Sequence, residues 1–259
     1  MKKIISFQMQ GGLGNILFSL ANAINLSVIY DLKVCLRYYH IGYLHTDPKI
    51  YKQSIFKQYE EITNIDGFFQ FTEKDFSFSE IDLPKDTNIF INGYFQSEKY
   101  FIKNRKLIVD SFFSNSRIFD NLKKRYPEVF EEEITSIHLR RGNYLSLSNV
   151  YNNLDIKYYM DAIELLDSKK VFVFSDDLNY CYNNFTDKKF NIIQGNTDLE
   201  DLYLMALCKN NIIANSSYSW WGAWLNQNHN KKIIAPNHWF KDRNDFIIRD
   251  LIPQSWIKI

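Results

Sequence analysis

The sequence is short of the residues that interrupt regular structure. Its 259 residues include nine glycines and five prolines; average glycine usage of about 7% would give roughly twice as many glycines. With so few breakers and 17% aromatic residues, a disordered or low-complexity chain is excluded. Cysteine is scarce and odd in number: Cys35, Cys181 and Cys208 show no Cys-x-x-Cys spacing. That rules out a disulfide framework and a zinc knuckle, and it fits a reducing compartment. Neither sign of charge dominates, with 31 Lys and Arg against 30 Asp and Glu. A whole-protein electrostatic nucleic-acid binder is therefore excluded, although a local basic pocket is not. Long apolar runs are missing as well. The longest stretch, residues 16–30, is interrupted by Ser19, Asn22, Asn25 and Ser27, and is too short and too polar to span a bilayer. Met1-Lys2-Lys3 leads straight into Ile4-Ile5-Ser6-Phe7 without an apolar h-region and cleavage site, so no signal peptide is expected. The expected location is cytoplasmic.

What is present is unevenly placed. Gly11, Gly12 and Gly14 fall within four residues, and all five tryptophans (Trp220, Trp221, Trp224, Trp239, Trp256) lie in the last forty. Apolar segments at 4–9, 33–39, 88–92, 134–139, 171–174, 190–193, 211–214 and 233–235 read as strands. Residues 15–30, 98–107, 116–125, 155–166, 198–207 and the stretch around 220–225 read as helices. Strands alternating with helices predict an α/β protein with parallel sheets covered on both faces. The polar, acidic stretch at 120–133 is the expected junction, giving Rossmann-like halves at 1–125 and 126–259. One continuous doubly wound sheet is the competing arrangement.

Four motifs stand where predicted strands end. Met9-Gln10-Gly11-Gly12-Leu13-Gly14-Asn15 joins a strand to a helix, where glycines let the backbone approach a ligand. Leu17 occupies the sixth position of a pattern beginning at Gly12, and no Gly-Lys-Ser/Thr follows. The segment is thus neither a dinucleotide fingerprint nor a P-loop; a bare turn and a ligand loop both fit. The second motif, Ile137-His138-Leu139-Arg140-Arg141-Gly142-Asn143-Tyr144, leaves an apolar strand at its carboxyl end, where open α/β sheets bind ligands. On extended backbone His138 and Arg140 point to one side and Arg141 to the other. Arginine forks match phosphate oxygens; an ordinary surface Arg pair with a core His is the alternative. The third, Phe174-Ser175-Asp176-Asp177, places consecutive carboxylates at another strand end. They suit ribose hydroxyls or the adjacent N–H donors of guanine, or one of them caps the next helix. No nearby His or third carboxylate supports a metal site. The fourth runs Asn215-Ser216-Ser217-Tyr218-Ser219-Trp220-Trp221-Gly222-Ala223-Trp224. Its hydroxyls fit helix capping or phosphate binding, and its tryptophans fit helix–sheet packing ahead of a sugar-stacking platform.

In this order the motifs resemble glycosyltransferase family 11, the α-1,2-fucosyltransferases, in its short bacterial form. The matching segments are Gly-Gly-Leu-Gly-Asn at 11–15, Gly-Tyr-Phe-Gln-Ser-Glu-Lys-Tyr-Phe at 93–101 and His-x-Arg-Arg-Gly at 138–142. Phe-Ser-Asp-Asp at 174–177, Asp-Leu-Tyr-Leu-Met at 201–205, Asn-Ser-Ser-x-Ser-Trp-Trp-Gly-Ala-Trp-Leu at 215–225 and Ala-Pro-x-x-Trp-Phe at 235–240 complete them. The resemblance implies a GT-B fold, two Rossmann-like domains facing across a cleft, with the acceptor on the N-terminal domain and GDP-fucose on the C-terminal one. It implies inverting transfer of L-fucose from GDP-β-L-fucose to the 2-hydroxyl of a galactose, with no cofactor beyond the donor and no essential metal. By position, the implied catalytic residues are Arg140, Asn15 and His138. Arg140 and His138 would hold the pyrophosphate, and Asn15 would face the reacting centre. The implied donor-binding residues are Gly12, Gly14, Arg141, Asn143, Ser175, Asp176, Asp177, Asp201, Asn215, Ser216, Ser217 and Ser219. Of these, Asp176 or Asp177 would contact guanosine, and the serines would line the phosphate end. The implied partners are a nucleotide-sugar donor and a galactose-terminated glycan. A lipid-linked precursor of that glycan would bring at most peripheral contact with the inner face of the membrane, and no nucleic acid is involved.

The chain departs from the family pattern at two positions: Asn143 stands where Asp is usual, and Ile16 where Gln is usual. A neutral amide is no carboxylate base, which leaves His40, His45, Asp155 or a donor phosphate oxygen for that role. A different donor sugar or acceptor, and a non-catalytic nucleotide- or glycan-binding relative, are the alternatives.

Overall fold

A computed structural model describes residues 2–44, 46–113, 116–241 and 249–259. The chain divides into two compact units, Met1–Asn115 with Phe246–Pro253, and Ser116–Asp245 with Gln254–Ile259. Each has its own parallel sheet, so the chain is not one continuous doubly wound sheet.

The first unit is built on β1 (Ile4–Phe7), β3 (Lys33–Leu36), β5 (Glu60–Glu61), β6 (Phe69–Thr72) and β7 (Ile89–Asn92), in the order β5-β3-β1-β7-β6. Every pairing is parallel, with Ile5 of β1 opposite both Val34 and Ile89. Parallel strands covered on both faces read as continuous apolar runs, which is why β1 and β7 were visible in the sequence. Edge strands β5 and β6 bury little, so they carry no such signal. A small parallel pair, β2 (Met9–Gly11) with β4 (His40–Leu44), stands beside this sheet. Helix α1 (Leu13–Ile29) is buried along most of its length, polar residues included: Ser19, Asn22 and Asn25 are all inside. The helix expected at 98–107 is two single 3-10 turns, Glu98–Tyr100 and Ile102–Asn104, before α2 (Arg105–Phe112). Ser97 caps the first turn by accepting from the Lys99 amide, and Phe101 at φ −147° interrupts the helical path.

The second unit contains β8 (Ile134–Leu139), β9 (Lys170–Ser175), β10 (Phe190–Ile192), β11 (Asn210–Ile212), β12 (Ile233–Ala235) and β13 (Ile257–Lys258). Their order is β10-β9-β8-β11-β12-β13, again all parallel. Counted within the unit this is 3-2-1-4-5-6, the doubly wound order whose ligand crevice opens at the carboxyl ends of strands one and four. β8 is buried throughout and pairs with β9 over six positions, from Ile134–Lys170 to Leu139–Ser175. The helices are α3 (Ser116–Arg125), α4 (Glu128–Glu131), α5 (Gly142–Ser146), α6 (Ile156–Leu165), α7 (Leu178–Asn184), α8 (Asp198–Leu207) and α9 (Ser217–Trp224). α8 begins with a complete capping box between Thr197 and Glu200, and its acidic first turn suits the helix dipole.

Trp220 and Trp221 are fully buried and Trp224 nearly so. Their rings lie 5.1 to 6.0 Å apart, and Trp256 joins Trp220 at 5.4 Å. The tryptophans are therefore packing, not an exposed stacking platform. The expected boundary at 125/126 is displaced. α3 packs with the second unit, Phe119 stacking on Tyr203 of α8 at 5.1 Å. The segment ending at Pro253 returns to the first unit, where Asp250 accepts from the Phe78 amide and pairs with Lys99. Such returns are long-range and leave no trace in local composition. All three cysteines are free and buried.

Candidate active site

At the crevice of the second sheet, β8, β9 and β11 deliver three of the four motifs to neighbouring carboxyl ends. Asp176 organises the turn after β8. Its Oδ1 accepts from the backbone amides of Arg141 at 2.9 Å and Gly142 at 3.2 Å, and its Oδ2 pairs with Arg140 Nη1 at 2.7 Å. Arg140 Nη2 donates to Asn143 Oδ1 at 2.6 Å, and the guanidinium lies 5.3 Å from the Tyr144 ring. These contacts use two of the five N–H donors of an arginine fork. Arg141 is held differently: its Nε donates to Asp177 Oδ2 at 3.0 Å, and its guanidinium stacks at 3.5 Å on Tyr180. Asp177 also caps α7, accepting from the Tyr180 amide, while Ser175 Oγ accepts from the Asp177 amide. The Tyr180 amide and Arg141 together depress the Asp177 pKa. Both expected roles of the carboxylate pair are thus partly decided: one of them is a cap, and both orient arginines.

His138, at the end of β8, is only 7% exposed, and its Nδ1 has no hydrogen-bond partner among the described residues. Burial holds its pKa down at about 4, with Asp176 pulling upward and Arg140 downward. The ring is accordingly neutral at pH 7, and it lies 5.4 Å from Tyr218. Tyr218 in turn donates to the carbonyl of Asp198 at the start of α8.

The serine turn divides in two. Ser216 takes the N-cap position of α9 without a side-chain cap bond, and Ser217 is half-buried beside it. Ser219 is inside, its hydroxyl facing the carbonyls of Ala214 and Ser216. Asn215 is a brace: its Nδ2 donates to the carbonyls of Asn152 and Trp239, and its own carbonyl accepts from Tyr144. Tyr144 stacks on Tyr151 at 3.8 Å, and burial raises its pKa strongly. Asp201 lies apart, on α8, accepting from Asn196 at 2.8 Å; burial raises its pKa to about 6. Asp155 caps α6 through the Tyr158 amide and borders a cavity of about 520 Å³ with Lys157, Tyr158, Asn237 and His238.

The glycine loop ends β2 in the first unit. Gly12 is the N-cap of α1, its carbonyl accepting from Asn15 and Ile16, and Gly14 is buried in the first turn. Gly11 has φ +69°, and a Cβ there would strike the Asn15 side chain. Asn15 Oδ1 accepts from Gln96 Nε2 at 2.9 Å. Gln96 therefore belongs to this edge, although sequence reasoning noted only its motif. Tyr144, Tyr180 and Tyr218 were missed as well: tyrosines are frequent here, and only the fold shows which ones meet the arginines and His138. His45 lies outside the described residues. Among the described residues no group of three His, Cys, Asp or Glu could hold a metal ion, and no helix is long and apolar enough to cross a membrane.

A 3-2-1-4-5-6 sheet with an arginine fork at its crevice, beside a second parallel α/β unit, defines a Rossmann-type protein built to meet an anionic ligand. The family model described as glycosyl transferase family 11 matches residues 42–259, and the chain belongs to that family. An alpha-1,2-colitosyltransferase of Escherichia coli is 31% identical over 99% of both chains. The O-antigen biosynthesis glycosyltransferase WbnK of E. coli is 35% identical, over 64% of this chain and 59% of WbnK. Among solved structures, NodZ alpha-1,6-fucosyltransferase soaked with GDP-fucose aligns with a TM-score of 0.53 at 13% identity, covering 87% of this chain and 93% of that one. The fold is of the GT-B class.

Proposed function

We propose that this glycosyltransferase moves L-fucose from GDP-β-L-fucose to the 2-hydroxyl of a galactose, with inversion and without a metal. The observation that carries the reading is the Arg140–Asp176–Asn143 cluster at the crevice of a family 11 chain. In the reaction the bond between the fucose anomeric carbon and the GDP oxygen breaks, and a bond to the galactose oxygen forms on the opposite face. GDP leaves with the bonding pair, and the galactose hydroxyl gives up its proton. Charge grows on the leaving phosphate, and a cation already fixed in place stabilises it without reorganising. Asp176 and Asn143 fix Arg140 in that way, and the guanidinium keeps donors for the phosphate oxygens. Arg141, tied to Asp177 and stacked on Tyr180, serves the architecture of the turn. Neutral His138 offers one ring nitrogen as a hydrogen-bonding group to the same anion. Asn143 is an amide whose carbonyl already accepts from Arg140, so the acceptor proton goes to another group, a donor phosphate oxygen or a side chain. Asn15 and its glycine loop contribute the acceptor side.

The relative named alpha-1,2-colitosyltransferase supports a second reading, a GDP-linked donor with one hydroxyl fewer than fucose. The two donors separate cleanly by chemistry. A site that hydrogen-bonds the extra hydroxyl rejects the analogue lacking it by about 10⁴-fold or more, whereas an apolar pocket discriminates weakly. Purified protein is to be offered GDP-fucose, GDP-colitose and GDP-mannose with β-galactoside acceptors, and GDP release and product linkage followed. Turnover of GDP-fucose into an α-1,2 product is expected. Turnover of GDP-colitose alone selects the second reading, and GDP binding without turnover of any donor defeats both.

A further inference from the structure

One carboxylate in the first unit has no place in the donor chemistry and is nevertheless elaborately engaged. Glu73 follows edge strand β6, and its amide continues the ladder by bonding the Asn92 carbonyl at the end of β7. Its side chain turns into the loop after β7. Oε2 accepts from the Tyr94 amide at 2.7 Å and the Phe95 amide at 2.9 Å, and Oε1 accepts from Phe95 at 3.1 Å. The loop it grips is unusual backbone. Gly93 has φ +159°, and a Cβ there would collide with the Glu73 side chain; Phe95, not a glycine, has φ +50°. A non-glycine residue in the left-handed region persists only where its surroundings over-determine it. Here they do: the Phe95 ring is fully buried against Phe71 and Tyr100, and the Gly93 carbonyl accepts from Ser19 of α1 at 3.0 Å. The next residue is Gln96, whose amide meets Asn15 Oδ1 at 2.9 Å. That contact orients the Asn15 amide, leaving its nitrogen on the side of Gly11.

We propose that Glu73 is a positioning residue for Asn15: its carboxylate locks the 93–96 turn, and the turn sets the Gln96–Asn15 amide pair that meets the acceptor sugar. The assignment of Asn15 to the acceptor rests on the reading given under Proposed function; the clamp itself rests on the hydrogen bonds above. Glutamine is a poor replacement, because its amide nitrogen would face backbone donors where a carboxylate oxygen accepted them.

The experiment compares wild type with Glu73→Gln, Glu73→Ala, Gln96→Ala and the Glu73→Ala/Gln96→Ala double variant. Side-chain amide resonances of Asn15 and Gln96, and amide exchange at Tyr94 and Phe95, are read by NMR alongside acceptor kinetics and GDP affinity. Expected are displaced Asn15 and Gln96 resonances and lost protection at 94–95. Acceptor kcat/KM falls by about a hundredfold, the scale of a small misplacement of a reacting group, with GDP affinity unchanged. The double variant is no worse than the more damaging single one, because both act through one contact. If Glu73→Ala does not fold, Glu73→Gln carries the same test. The proposal is overturned if the Asn15 resonance stays in place, if the two losses simply add, or if GDP affinity falls in step with acceptor use. Absence of turnover in the wild type would defeat the functional reading, while the resonances still decide the clamp.

Discussion

The two sheets finish their crevices with opposite chemistry. In the second unit, the turn after β8 is a lattice of full charges, with Arg140 and Arg141 paired to Asp176 and Asp177 at 2.7 and 3.0 Å. In the first unit, the corresponding loops after β1 and β7 meet through two neutral amides, Asn15 and Gln96. The one carboxylate there, Glu73, points into backbone and not outward. Charge-assisted bonds to a pyrophosphate are strong and call for cations held rigidly by counter-charges. Hydroxyl groups of a neutral sugar are matched by neutral donors and acceptors, whose bonds are individually weak and depend on placement. The second unit therefore secures its site with ion pairs and a buried aromatic block, and the first with backbone geometry at Gly11, Gly93 and Phe95.

The sharpest attack on this contrast goes at the aromatic block. Trp220→Ala removes a fully buried ring that touches Trp221, Trp224 and Trp256, and is expected to cost about 3–5 kcal/mol of stability by denaturant titration. It should also weaken GDP binding, since the N-terminus of α9 is displaced. Arg140→Ala is expected to lower kcat/KM for the donor by about 10²-fold, the usual loss for one preorganised donor to developing charge. Unchanged donor kinetics would remove Arg140 from the site and erase the difference between the two crevices.

Asp201 supplies a pH test within the charged unit. Burial holds its folded-state pKa at about 6, above the model value of 3.8. Between those values the folded chain binds more protons than the unfolded one, so stability falls as pH rises. The contribution is fully present below pH 3.8 and is lost above about 6. Asp201→Asn keeps the acceptor oxygen for Asn196 and should flatten Tm over that interval. At pH 8 it should stabilise the protein by about 3 kcal/mol at most, at 1.36 kcal/mol per pKa unit. The smallest effect is expected at the neutral edge. Asn15→Ala removes one neutral contact, worth about 1 kcal/mol, and should lower acceptor kcat/KM about fivefold with GDP affinity intact. A loss as large as that of Arg140→Ala would mean that Asn15 meets charge, not a sugar hydroxyl.

Much of this architecture was legible before the fold. Helices Ser116–Arg125 and Asp198–Leu207 and strands Ile134–Leu139 and Ile233–Ala235 were read to the residue. Each is a strongly patterned segment with clear ends, such as the acidic first turn after Thr197 or the proline after Ala235. The motifs were found for the same reason, since ligand loops follow strands. The partners within the site were not legible. Asp176 was read as a contact for guanosine, and nothing local to residues 174–177 says that it pairs with an arginine thirty-six positions earlier. Glu73 was not noticed at all, because it follows an edge strand with exposed residues and no motif.

By itself, the sequence determined the fold class, the family and the strand ends that carry chemistry. Those properties follow from local alternation of apolar segments and from residue order along the chain. Only the tertiary structure decided which charges cancel, which tryptophans are core, and which carboxylate holds the neutral amide pair. Those are contacts between strand ends brought together by sheet order, and the energy of a polar group depends on what surrounds it once water is gone.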